Sequence, residues 1–170
     1  MSGDGFILRD FLPTDLPALV EMVDALCVQH RAFDPGRYDF LPDVGERYSK
    51  WLPLRASDQD SVLIVAAGPG PVGFVVGEVL DEIPIFVTRR YGFIHDVYVA
   101  PAARRTGVGR ALVEAAVARF RARGVHQVRL DTAAGNETAR ELFSSLGFRP
   151  TVVQMQRDLF DGHAHPGNRA

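Results

Sequence analysis

The spacing of apolar residues changes several times along the chain, and each change marks a new element. Residues 6–9 are short and mostly apolar and read as a first strand. In the run FLPTDLPALVEMVDAL, Leu16, Leu19, Val20 and Val23 recur at helical spacing. Thr14 stands at an N-cap position, Asp15 adds negative charge to the first turn, and Pro17 fits early in a helix. The pattern predicts a helix over residues 15–29. Residues 30–42 lose this periodicity: two prolines, a glycine and three aromatics suit a cover over a pocket or a segment folded back on the core. A short helix over residues 43–54 would turn Trp51 and Leu52 inward.

In SVLIVAAGPGPVGFVVGEV, two β-branched runs flank AGPGP, a strong hairpin signal. Residues 81–88 read as an excursion or a continuation of the sheet, and residues 90–99 as a strand ended by Pro101. Residues 107–123 then form a helix whose buried stripe is Leu112, Val113, Ala116, Val117 and Phe120. Gly124 sits where a left-handed C-terminal cap belongs. HQVRLDT is a strand, and residues 136–146 are a helix with Ala139, Leu142, Phe143 and Leu146 on one face, capped by Gly147. Residues 149–159 supply a final strand or two. This order is that of a mixed α/β domain. The unit over residues 91–132 predicts two parallel strands joined by a right-handed crossover. No repeat or change of composition marks a boundary, so a single domain is expected over residues 1–160 and a flexible tail over residues 161–170.

Composition narrows the function classes. The chain has 170 residues, 46% of them hydrophobic, and a net charge of -2, which fits one globular domain. With 19 Lys+Arg against 21 Asp+Glu there is no cationic excess for gripping a phosphate backbone, so no nucleic-acid partner is expected. Cys27 is the only cysteine, which excludes an intrachain disulfide and a thiolate zinc site and fits a reducing, cytoplasmic setting. There is neither a leader pattern nor a long apolar run, so no membrane association is expected. The histidines include no HExxH pair, and no metal is assigned.

The candidate chemistry gathers in VYVAPAARRTGVGRALVEAAVARF. A strand ends at Val99, a basic loop follows, and Gly107 and Gly109 open a long helix. Free N–H groups at such a helix start receive phosphate oxygens, and glycines let a ligand approach the main chain. Arg104, Arg105 and Arg110 add positive charge at the same turn. Read blandly, the segment is only a tight turn. The combination of strand, arginines and amphipathic helix favours a phosphate site. The spacing is not that of a Walker A loop, and the third glycine of a dinucleotide fingerprint is missing.

Arg104-Arg105-Thr106-Gly107-Val108-Gly109 resembles the central motif of the GNAT superfamily of acyl-CoA-dependent N-acetyltransferases: Arg or Gln, two residues, Gly, one residue, Gly or Ala. NETARELFSSLGF resembles that family's second conserved helix, and the strong resemblance covers residues 94–148. It implies a GNAT-like α/β (mixed α+β) fold, with a central mixed twisted sheet of about six or seven strands flanked by about four helices. It implies acetyl-CoA as cofactor. The main-chain groups of Val97 and Val99, with Tyr98 between them, would lie along the pantetheine arm, and the Val97 N–H would polarise the thioester carbonyl. The N–H groups from Arg105 through Thr106, Gly107, Val108 and Gly109 to Arg110 would hold the pyrophosphate. Asn136 would bond the cofactor arm, cap its helix, or both. Phe143 stands where the family often has a tyrosine, and it has no proton to give a leaving thiolate.

The resemblance implies transfer to a primary amine by direct attack, which needs a proton acceptor. His95, Asp96 and Glu78 are the candidates. In a regular strand His95 and Asp96 point to opposite faces, and only a bulge would bring both to one site. His95 shares parity with Val97 and Val99 and is favoured as the acceptor. Asp96 would orient the amine or draw on a water. His95 also fits as a hydrogen-bonded histidine within the sheet. A small amine or polyamine-like acceptor is expected, drawn in by Glu78, Asp81 and Glu82, with most of the pocket from residues 30–51 and 81–90. Competing readings are a non-catalytic acyl-CoA-binding or sensing module and a protein or peptide N-terminal acetyltransferase. An exposed edge strand leaves a homodimer open.

Overall fold

The computed structural model describes residues 5–159. The expected tail over residues 161–170 lies outside the described residues. Strand β1 (Ile7–Asp10) leads through one turn of 3-10 helix (Pro13–Asp15) into α1 (Leu16–Phe33), and α2 (Val44–Ser57) follows. Strands β2 (Ser61–Ala67) and β3 (Pro71–Asp81) form the hairpin, and β4 (Arg90–Val99) returns beside β3. Helix α3 (Val108–Ala122) connects β4 to β5 (Val128–Leu130), and α4 (Glu137–Ser145) comes last. The strands lie in chain order in one sheet, β1-β2-β3-β4-β5. Neighbours from β1 to β4 are antiparallel, and β4 with β5 is parallel, as the strand–helix–strand pattern required.

Both faces of the sheet are covered, which is why the whole of β2 is buried. On one face Val62, Ile64, Val75, Val79 and Ile94 meet Leu112, Val113, Ala116 and Phe120 of α3. On the other, Leu63, Val65, Phe74, Val76 and Tyr98 meet Leu19, Val23 and Leu26 of α1 and Leu52 of α2. Gly92 is a point of close approach: a Cβ there would lie 2.6 Å from Phe120 Cγ.

Four expectations need correction. Among the described residues the sheet has five strands rather than six or seven. Residues 149–159 form no strand, and Val152, Val153, Met155 and Leu159 stand 76–87% exposed. A β-rich sequence becomes a strand only against an edge that supplies its ladder, and β5 offers a three-residue edge. Gln154 is instead tied to the loop after α1, where Arg37 Nε donates to its Oε1 at 3.2 Å. Thr14 caps nothing, because it lies inside the 3-10 turn. The carboxylate of Asp15 turns back instead, receiving Arg9 Nη1 and Nη2 at 2.6 and 2.8 Å and the Leu12 N–H at 2.8 Å. Helix α1 also runs on to Phe33, past the expected end at Gln29.

Candidate active site

Strand β4 builds the site through a break in its register with β3. Val76 pairs with Asp96, but the next residue, Gly77, pairs with Ile94. His95 is the extra residue of a β-bulge, and a bulge re-aims the side chains beside it. Ile94 and Val97 therefore pack on the α3 side, while His95, Asp96 and Tyr98 all turn toward α1 and α2. The expectation that His95 shares a face with Val97 and Val99 is thus corrected. The bulge that would unite His95 with Asp96 is present.

The two side chains line an open cleft of about 400 Å³ together with Arg47, Tyr48 and Trp51 of α2. Tyr48 Oη donates to Asp96 Oδ2 at 2.8 Å. Burial raises the Asp96 pKa above the usual carboxylate range, against the lowering influence of the Tyr48 hydrogen bond and of His95 and His30. Burial likewise raises the Tyr48 phenol, with the Asp96 charge adding to it, so Tyr48 stays a proton donor. His95 Nε2 lies 2.8 Å from Glu78 Oε1, and Arg55 of α2 donates to the other oxygen of Glu78. The His95 ring is held edge-on by Trp51 at 5.5 Å and by Phe93 at 5.1 Å.

The other end of β4 is open along one edge. Its pairing with β5 covers Gly92, Phe93 and Ile94 and stops there. The Ala100 N–H bonds Val72 O at 2.9 Å on the β3 side. Because main-chain groups alternate along a strand, those of Val97 and Val99 point to the opposite, unpaired edge. Arg104 Nε donates to Val99 O at 3.0 Å across that edge. Tyr98 presents no such groups there: its main chain faces β3 and its ring is buried, with the Arg104 guanidinium 5.7 Å from the ring centre.

Beyond β4 the chain makes the turn that the two glycines suggested. Arg105 has φ 64° and Gly107 φ 92°, both left-handed, and Gly107 is the N-cap of α3. The first backbone bond closing the helix runs from the Ala111 N–H to Gly107 O at 3.0 Å, so the N–H groups of Val108, Gly109 and Arg110 precede the helical ladder. Alternating backbone of this kind turns successive N–H groups into one concavity suited to an anion. Thr106 Oγ1 donates to Ala103 O at 2.7 Å and braces the loop. Val108 has its side chain in the core. Arg110 bonds Ser145 Oγ at 2.8 Å, which ties the turn to α4.

Asn136 caps α4, its Oδ1 accepting from the Ala139 N–H at 3.2 Å. Phe143 packs against the core beside Phe148, ring centres 5.9 Å apart. Asp81 and Glu82 do not line the cleft; Glu82 accepts from Arg129 Nη1 at 2.5 Å. Sequence reasoning missed Tyr48 and Arg55. The signal was the helical spacing of Val44, Tyr48, Trp51 and Arg55, one stripe of α2.

Fold and cleft together define a class: a mixed α/β domain whose β4–β5 pairing stops at Ile94, short of a helix N-terminus, leaving a strand edge and a turn of free N–H groups beside the cleft. The chain belongs to the Acetyltransferase (GNAT) family, which it matches over residues 22–148. Acetyl-CoA is the general acetyl donor of that family. The chain is similar to an uncharacterized N-acetyltransferase of Methanocaldococcus jannaschii, 34% identical over 149 residues, covering 87% of this chain and 62% of that protein. It is also similar to the [ribosomal protein bS18]-alanine N-acetyltransferase of Salmonella typhimurium, 29% identical over 141 residues, covering 83% of this chain and 79% of that one. Among solved structures, a predicted acetyltransferase from Clostridium acetobutylicum, solved with acetyl-CoA, has a TM-score of 0.72 at 18% identity, covering 94% of this chain and 99% of that chain. Among the described residues no helix is long and apolar enough to cross a membrane.

Proposed function

We propose that this protein transfers the acetyl group of acetyl-CoA to a primary amine by direct attack in a ternary complex. The observation that carries the reading is the bulge at His95, which puts His95 and Asp96 in one cleft immediately before the unpaired edge at Val97 and Val99. A pantetheine arm adding to that edge, with its pyrophosphate on the turn at Gly107, brings the thioester beside both side chains. The Asp96 carboxylate, held by Tyr48, receives the amine. His95 takes the proton the amine loses on attack. The Val97 N–H meets the oxygen on which charge develops, and alignment of amine and thioester supplies most of the rate.

Cys27 supports direct attack over an acetyl-enzyme. Burial pushes its thiol up to about 11, with Asp96 and Asp24 adding to the shift, so it carries little thiolate near neutral pH. Phe143 serves packing, and the leaving thiolate takes its proton from His95 or solvent. The test is release of free thiol from acetyl-CoA across a panel of amines. Release is expected only when an amine is present, with His95→Ala lowering kcat about 100-fold. Acetyl-CoA binding with no amine-dependent release would favour the sensing module instead.

A further inference from the structure

Glu78 and Arg55 do not touch the cleft in the way His95 does, yet they form a continuous chain leading to it. Arg55 Nη1 donates to Glu78 Oε2, and Glu78 Oε1 lies 2.8 Å from His95 Nε2. A carboxylate only accepts hydrogen bonds. The proton of a neutral His95 ring must then sit on Nε2, and Nδ1 is left with a lone pair. Nδ1 has no hydrogen-bond partner among the described residues, and His95 lines the cleft. The ring cannot turn easily out of this pose, since Trp51 and Phe93 both meet it edge-on. The Arg55 guanidinium sits 5.7 Å from the Trp51 ring centre, so one side chain of α2 steadies both the carboxylate and the aromatic wall.

We infer that Arg55 and Glu78 are positioning residues that fix His95 as its Nε2–H tautomer, so that Nδ1 is the atom that accepts the amine proton. This rests on the acetyltransferase reading. In the step, the amine nitrogen bonds the thioester carbon and the carbon–sulfur bond breaks. The thiolate leaves with that electron pair, and the amine proton passes to Nδ1. The imidazolium keeps its Nε2–H on Glu78 and returns the other proton to the thiolate or to solvent.

Glutamine at position 78 makes the inference testable, because its amide has one accepting and one donating end. Arg55 claims the amide oxygen, the amide NH2 then donates to His95 Nε2, and the ring is driven to the Nδ1–H tautomer. In ¹⁵N NMR of the whole chain, the neutral His95 ring is expected to show a protonated Nε2 and a bare Nδ1, and Glu78→Gln to reverse them. The variant is expected to lower kcat about 100-fold with the KM for acetyl-CoA changed less than about 2-fold. Adding Arg55→Met frees the amide to present its oxygen to His95, and the double variant is expected to recover about 10-fold over Glu78→Gln. A merely structural role predicts the double variant to be the worse of the two. Acetyl transfer by a wild-type protein whose ring is Nδ1–H overturns the inference and leaves the acetyltransferase reading intact. An Nε2–H ring in a protein that transfers no acetyl group to any amine overturns that reading, while the fixed tautomer stands.

Discussion

Asp96 shows how one residue serves the cleft at the expense of the fold. Burial raises its pKa above the ordinary value of 3.8, so the folded protein binds its proton more tightly than the unfolded chain does. Its contribution to stability therefore falls as pH rises from that ordinary value through the folded one. Asp96→Asn removes this penalty, and the amide oxygen still accepts from Tyr48. The variant is expected to be at least as stable as wild type at pH 7 in thermal melts, with the difference vanishing near pH 4. Its KM for the amine is expected to rise about 10-fold or more, because the charge-assisted hydrogen bond from the amine to the carboxylate is lost. The identity of Asp96 was legible in the sequence next to His95. Its direction was not, because alternation along a strand puts neighbours on opposite faces and only the paired strand reveals a bulge.

At the scale of elements, the joint between β1 and α1 depends on an ion pair rather than on a helix cap. Asp15 is 3% exposed and takes both arms of the Arg9 guanidinium. The Arg9 hydrogen bonds hold its carboxyl below the ordinary 3.8, with the Leu12 N–H and the Arg9 charge assisting against the opposing effect of burial. A depressed carboxylate stabilises the fold above the unfolded pKa, and that stabilisation is lost as pH falls through the folded value. Asp15→Asn is expected to cost about 3 kcal/mol in urea unfolding at pH 7. The gap between variant and wild type is expected to shrink below about pH 5 and close in stronger acid. Asp15 was read as a first-turn acid near the start of the helix. Its partner on the preceding strand was not legible, since nothing in the local pattern joins Arg9 to the turn.

At the scale of the molecule, the layers meet where the sheet has no side chain to offer. Phe120 of α3 lies over Gly92 so closely that Gly92→Ala is expected to lower stability by about 2 kcal/mol in denaturant unfolding. Phe120→Leu is expected to cost stability alone yet to recover part of the loss when combined with Gly92→Ala, since the two share one space. Phe120 was placed in the buried stripe of α3 by spacing alone, but the glycine beneath it was found only by folding. The same division holds throughout. Periodicity and turn residues determined the elements from β1 to α4, the parallel β4–α3–β5 unit and the glycine turn, because those depend on neighbours a few residues apart in the chain. Residues 149–159 carried the same local instruction for a strand and did not become one, because a strand needs an edge that no local signal guarantees. The cleft joins Tyr48 and Trp51 of α2 to His95 and Asp96 of β4, and Arg55 of α2 with Glu78 of β3 stands behind His95. Only the tertiary structure decided that meeting: contacts between distant segments are set by which faces pack and where a ladder slips by one residue.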